Sequence, residues 1–345
     1  FTLTITQIQD LQRALQATQA YADALARRQA SCASPFGRGL DYQALLAHWR
    51  QRPPERLLIF HHNDRRGLLP KAWHQALIAF RAAGWDVVVS SSNLEVSHQQ
   101  ALEQYGARVA LRRNVGLCLG AYKDLALLLL NDPRVAKSLR SLVLCNDSTL
   151  PVAEEDVLTK RVQTWVDAFE QEPTPVLAGF TDSAQRGCYH LQSYFLCANA
   201  ALLRHPAWQR FWLNFSPCGS KDELINKGEI GLSQAVLRAG GSLRPAYPLL
   251  KGLLEDASMA SELLSYRIWQ PKHVNPSLFA WQSLLAKGFP LVKKHVLFDL
   301  AENEGQTMAL AALSAWLPPE RQRLIQADLQ ALFISRYSFT EPDAL

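Results

Sequence analysis

Between residues 56 and 148 the chain alternates short apolar runs with amphipathic stretches. Arg56-Leu57-Leu58-Ile59-Phe60 is apolar and stops at His61-His62-Asn63-Asp64, and Leu68 to Ala83 carries apolar residues at helical spacing. Trp85 to Ser90 is a second apolar run, ending in Ser91-Ser92-Asn93. His98 to Tyr105 reads as a helix, Ala107 to Leu111 as a short strand, and Gly120 to Leu130 as a helix. Ser141 to Cys145 reads as a strand that stops at Asn146-Asp147-Ser148. Short strands alternating with helices, each strand ending in polar residues, predict βαβ units and a mostly parallel sheet. Ligands of such sheets bind beyond the carboxyl ends of the strands. That places His61, Asn63, Asp64, Asn93, Arg113, Asn114, Asn146 and Asp147 on one rim.

The flanks read differently. Ile8, Leu11, Leu15, Ala22 and Leu25 predict a helix over 6–30, followed by a second over 41–50. Residues 1–52 carry no strand signal and form an N-terminal helical extension. Further on, Val176 to Phe180 and His190 to Cys197 read as strands. Asn199 to Phe215, Gly228 to Ala239 and Asn275 to Lys287 read as helices. An Ala/Leu-rich helical stretch from Leu300 to Leu332 is broken at Pro318-Pro319. The expected organisation is an α/β domain over 53–298 and a C-terminal helical tail over 299–345.

The 345 residues are 48% hydrophobic and 19% charged, enough for a sizeable core and too little charge for a disordered chain. No apolar stretch approaches the ~20 residues that span a bilayer. Phe1-Thr2-Leu3-Thr4 shows neither a basic region nor an apolar core, so no signal peptide is read. The cysteines at 32, 118, 145, 188, 197 and 218 show no CxxC spacing. They read as reduced, buried thiols in a reducing, cytoplasmic compartment. Thirty-six Lys+Arg against 31 Asp+Glu give a net charge of +5 without long basic clusters, which argues against nucleic acid as partner. The short basic runs Arg204 to Arg210 and Lys293-Lys294 suit peripheral contact with an anionic membrane face.

Four stretches could carry chemistry. Asn146-Asp147-Ser148 puts one carboxylate at the end of an apolar strand. There it could hold a divalent cation or lie beside a diphosphate, or simply cap the turn. Arg112 to Lys123 combines two glycines, Arg113, Asn114 and Lys123 at a strand-to-helix turn, a composition suited to phosphate. His190, Gln192 and Tyr194 alternate with other residues on one strand, so one face could meet a sugar. Glu229 follows a glycine at a helix start, where the dipole favours a carboxylate that could act as a general base. Adjacent His61 and His62 on a strand point to opposite faces, one buried and one at the rim. Signatures of P-loop, Rossmann, HExxH and GxSxG chemistry are missing.

These pieces occur in the order seen in the rhamnan synthesis protein F family, and the chain resembles that family over residues 56 to 295. The motif R-x-N-x-G-x-x-x-G-A-Y-K stands as Arg112 to Lys123, N-D-S as Asn146 to Ser148, H-x-Q-S-Y-F as His190 to Phe195, and F-W as Phe211-Trp212. E-I-G-L-S stands as Glu229 to Ser233, N-P as Asn275-Pro276, and W-x-x-L-L-x-x-G-F-P-x-x-K as Trp281 to Lys293. Where the family carries Tyr-Asp-Phe between the two glycines, this chain has Leu117-Cys118-Leu119.

The resemblance implies a GT-A-like glycosyltransferase of bacterial surface polysaccharides, including rhamnose-containing ones. A nucleotide-diphospho-sugar, dTDP- or UDP-linked, would be the donor, and a lipid-linked oligosaccharide the acceptor. Asp147 would sit at the diphosphate with or without Mg²⁺ or Mn²⁺. His61, Asn63, Asn93, Arg113, Asn114, Gly116, Lys123 and Asn146 would hold the donor. His190, Gln192 and Tyr194 would shape the sugar or acceptor pocket, and Glu229 would be the base if the anomeric centre inverts. Fusion or complex formation with other glycosyltransferases fits the same setting, as does attachment at the inner face of the plasma membrane. A second reading keeps the fold and drops the chemistry: a glycan-binding or scaffolding module of a polysaccharide assembly complex.

Overall fold

The computed structural model describes residues 5–33, 39–269 and 274–337. Its strands are β1 (Arg56–His62), β2 (Asp86–Ser91), β3 (Arg108–Leu111), β4 (Ser141–Asn146), β5 (Thr149–Pro151), β6 (Val176–Ser183), β7 (His190–Leu191), β8 (Phe195–Asn199), β9 (Ser242–Tyr247) and β10 (Leu291–Lys293). The main sheet runs β3-β2-β1-β4-β8-β6-β7, with β9 beside β6. β3, β2, β1 and β4 are mutually parallel, as are β6 and β9; β8 runs antiparallel between β4 and β6. This is the expected α/β architecture with a mostly parallel central sheet.

Buried strands and alternating side chains explain the layers. β1, β4 and β6 are covered on both faces, which is why they read as unbroken apolar runs rather than as alternations. Leu57, Ile59, Leu142 and Leu144 pack on one side against Tyr122, Leu125 and Leu129 of helix Leu117–Leu130 and against Trp208 and Trp212. Leu58, Phe60, Val143 and Cys145 pack on the other against Trp73, Leu77 and Phe80 of helix Lys71–Ala82 and Val162 of helix Glu155–Asp167.

A third cluster joins the C-terminal helices to a small second sheet. β10 pairs antiparallel with β5, and Leu150 and Val292 meet Leu313, Leu329 and Phe333. Asp328 of helix Pro319–Tyr337 accepts the N–H groups of Lys71 and Ala72 at 2.7 and 2.8 Å, so it caps the start of helix Lys71–Ala82. At the other end, helix Ile5–Ala33 forms as the periodicity predicts, but Ile8, Leu11 and Leu15 of its stripe are 43, 58 and 69% exposed.

Four local expectations need correction. The stretch His190 to Cys197 is not one strand. Asp182 pairs with Leu191 while Gly179 pairs with Leu196, so three steps along β6 match five along its partner, and the surplus bulges at 192–194. Glu229 does not begin a helix. The helix starts at Lys221, capped by the Ser220–Glu223 box, and passes through a π-turn over Ile225–Ile230 before Gly231–Arg238. His61 and His62 do point to opposite faces, yet both are buried. His62 is held by Ser91 Oγ at 2.9 Å and the Leu68 carbonyl at 3.0 Å. Finally, Cys218 is disulfide-bonded and Cys188 is exposed, whereas Cys145 and Cys197 are buried free thiols as expected.

Candidate active site

A cleft of about 810 Å³ opens at the carboxyl ends of β1 and β4. His61, Asn63, Gly116, Asn146, Asp147, Gln192, Tyr194 and Glu229 all line it. Asn93, Arg113, Asn114, Lys123 and His190 do not.

Asp147 follows β4 directly. Its N–H donates to the His61 carbonyl at 3.1 Å, and its carboxylate accepts the Asn63 N–H at 3.2 Å. Lys294 Nζ stands 3.2 Å from the same Oδ2, with both side chains about one-tenth exposed. Burial works to raise the Asp147 carboxyl, but the Lys294 ammonium, the neighbouring histidines and the Asn63 N–H outweigh it, and the carboxyl lies below its ordinary value. Asn146 turns inward. Its Nδ2 donates to the Tyr122 hydroxyl at 3.2 Å, and its Oδ1 accepts the Ser148 N–H at 2.9 Å, which fixes the turn that presents Asp147. Beside it, burial pushes His61 down to about 4. The ring is therefore neutral, with both nitrogens buried and Asn114 acting on it as a hydrogen-bonding neighbour.

Glu229 comes from the opposite side. The π-turn widens the helix by one residue and aims this carboxylate at the 192–194 bulge. Gly228 permits the approach, since a Cβ there would lie 2.5 Å from Leu119 Cδ1. Glu229 Oε2 accepts the Ser193 N–H at 2.6 Å and also the Ser193 hydroxyl, while Oε1 stands 3.4 Å from His190 Nε2. Burial would raise this carboxyl, but His190 and Ser193 together hold it below its ordinary value. His190 is fully buried behind Glu229, with Nδ1 2.7 Å from the Cys188 carbonyl. It positions the carboxylate rather than meeting a ligand.

The floor is built from the bulge. Tyr194 hydrogen-bonds Thr181 at 2.7 Å, and Gln192 Oε1 accepts from Thr181 at 2.7 Å and Ser277 at 3.1 Å. Lys293 Nζ lies 4.2 Å above the Tyr194 ring. Leu332, Ser335 and Arg336 of the C-terminal helix supply a wall, with the Ser335 hydroxyl donating to the Asp64 carboxylate at about 3 Å.

The remaining residues have other duties. Lys123 Nζ donates to the Leu213 carbonyl at 3.3 Å and to that of Phe215, tying helix Leu117–Leu130 to the end of helix Pro206–Asn214. Replacing Lys123 by Met should cost about 1–3 kcal/mol in urea unfolding and leave nucleotide affinity unchanged. Weakened nucleotide binding at unaltered stability would return Lys123 to the ligand site. Asn93 Nδ2 donates to the carbonyls of Asp64 and Arg65 and fixes the loop after β1. Arg113 is exposed and lies against Gly39. Asn114 is half-buried behind His61.

Sequence reasoning missed Lys293 and Lys294 as cleft residues, assigning them to a membrane-facing run. It also passed over Ser193 and the wall from the C-terminal helix. The apolar step Phe289 to Val292 just before the lysines is the one signal that could have marked β10.

The donor set around Asp147 does not fit a divalent cation. Asp147 is the lone carboxylate at the end of β4, and Oδ2 already faces an ammonium and an N–H. The Asp64 carboxylate is spent on the N–H groups of Arg66 and Leu68 and on Ser335. Among the described residues no group of three His, Cys, Asp or Glu could hold a metal ion. None of the described helices is long and apolar enough to cross a membrane.

No protein-family model matches the chain, and no curated protein matches it. Among solved structures, it is similar to a mannosyltransferase from Pyrobaculum calidifontis in complex with GDP-Man and Mn²⁺. That match has a TM-score of 0.31 and 14% identity, over 93% of this chain and 99% of the other.

Proposed function

We propose that this chain is a glycosyltransferase that moves a sugar from a nucleotide-diphosphate donor to a hydroxyl of a glycan. The observation that carries the reading is the single cleft shared by Asp147 and Glu229 at the strand ends of an α/β sheet. Its two sides differ as the reaction requires. One side pairs Asp147 with the Lys294 ammonium next to a neutral His61; the other presents an ionised carboxylate on a rigid support.

In this reading the donor lies over His61, Asn63, Gly116 and Asp147. Glu229 accepts the proton of the acceptor hydroxyl as its oxygen attacks the anomeric carbon. The bond from that carbon to the diphosphate oxygen breaks, and nucleoside diphosphate leaves with the electron pair, so the configuration inverts. Tyr194 and Gln192 form the floor on which the sugar rests. The resemblance in motif order to rhamnan synthesis proteins supports bacterial surface polysaccharide as the acceptor class and rhamnose as the first donor sugar to try.

Calorimetric titration with UDP, dTDP and GDP tests the reading. At least one should bind with micromolar affinity, against a free energy near −8 kcal/mol expected at about 1 μM. Failure of all three would overturn the transferase reading in favour of a glycan-binding scaffold.

A further inference from the structure

We infer that Lys293 and Lys294 take the place of a divalent cation, so that the diphosphate is bound and released by side-chain ammonium groups alone. The inference rests on the transferase reading above and specifies how that site handles charge.

The two lysines reach the cleft from a short strand. β10 is only three residues long, and β5 holds it: Lys293 is registered opposite Thr149, and the Lys294 N–H donates to the Ser148 carbonyl at 3.0 Å. Consecutive residues on a strand point to opposite sides. Here the chain passes from strand to helix between them, since Lys294 opens helix Lys294–Glu304. Both side chains can therefore stay on the cleft. Lys294 Nζ takes Asp147 Oδ2 at 3.2 Å, and Lys293 Nζ takes Ser148 Oγ at 3.3 Å above the Tyr194 ring. Two ammonium groups thus flank the turn over Asp147 and Ser148, with one carboxylate between them.

Lys294 thereby neutralises the acidic strand end that would otherwise attract a metal, while the Glu229 carboxylate acts on Lys293 from across the cleft. A divalent ion would need oxygen ligands at about 2.0–2.6 Å. The Lys294 ammonium stands on the carboxylate oxygen that would supply one, and it would repel the incoming ion. Ammonium groups fixed in advance at a developing diphosphate charge supply the same stabilisation as a bound cation without reorganising during the reaction. Asp147 then serves as an anchor that holds Lys294 in place.

The test uses the full chain and the tightest binder of UDP, dTDP and GDP, titrated in excess EDTA and again with Mn²⁺. For the unaltered protein the two dissociation constants should agree within about twofold. Lys294→Ala should weaken binding in EDTA by about 10- to 100-fold, the worth of one charge-assisted hydrogen bond. Lys293→Ala should act in the same direction. Lys294→Arg, which keeps the charge, should bind more tightly than Lys294→Ala, separating charge from misfolding; thermal melts of each variant complete that control. If EDTA abolishes binding by the unaltered protein and Mn²⁺ restores it, the inference falls while the transferase reading stands. Alanine at both positions with unchanged affinity would also overturn it. No binding of any nucleoside diphosphate in either condition removes the transferase reading itself, and the inference with it.

Discussion

Glutamine in place of Glu229 is expected to slow sugar transfer by about 10²–10⁴-fold, the usual contribution of a positioned general base. Glutamine keeps an oxygen for the Ser193 N–H, and the helix through the π-turn does not depend on the charge. Melting temperature and nucleotide affinity should therefore stay near those of the unaltered protein. The same carboxylate fixes the pH dependence. Burial alone would raise it, but His190 and Ser193 hold it below its ordinary 4.5. A base must be deprotonated, so kcat/KM should stay level as pH falls from 7 and drop only below about 4.5. A Glu229→Gln enzyme with near-normal turnover, or an acid limb above pH 5 that survives the substitution, would remove Glu229 from the mechanism.

Methionine in place of Arg112 is expected to be the most destabilising single change near the cleft. Arg112 and Asp124 form an ion pair at 3.0 Å with both side chains fully buried. Taking away the guanidinium leaves a buried carboxylate without its counter-charge, at a cost of about 3–5 kcal/mol. Urea unfolding measures the loss directly. The double variant Arg112→Met with Asp124→Leu should recover much of it, because the charge then goes with its partner. A single variant that loses less than about 1 kcal/mol would show that the pair is not what holds this region together.

The damage should reach the site as well. Arg112 also donates to the Val115 carbonyl at 2.9 Å, pinning the loop in which Gly116 takes φ +77° and Leu117 φ +52°. A Cβ at Gly116 would lie 2.5 Å from Pro217, so only glycine closes this turn. Gly116 and Leu117 line the cleft, and a loosened loop should weaken nucleotide binding even where the protein stays folded.

The rim of the sheet was legible because its signal is local. An apolar run that stops at a polar tip marks a strand end wherever it occurs, and His61, Asn63, Asn146 and Asp147 were found that way. Lys123 misled because helix Leu117–Leu130 is buried nearly all round. A helix without a polar face gives no periodicity from which to tell which neighbours a residue meets. Glu229 was singled out for its carboxylate, yet its support was misread: a π-turn leaves the pattern of apolar residues almost unchanged. The 192–194 bulge hid for a similar reason, since the alternation resumes on both sides of it. Lys293 and Lys294 were illegible as partners of Asp147. Their encounter depends on a three-residue strand that pairs Lys293 with Thr149 and Leu291 with Pro151, residues far apart along the chain, which no local pattern encodes.

One side of the cavity is carried by the last described helix, joined to the start of helix Lys71–Ala82 through Asp328 and to the loop after β1 through Ser335. The strand-end groups and this wall therefore sit on separate pieces of chain. In the transferase reading, a change at exposed Arg336 can retune this wall while the strand-end carboxylate and its lysines stay as they are. Selectivity and chemistry are in this sense free to diverge independently.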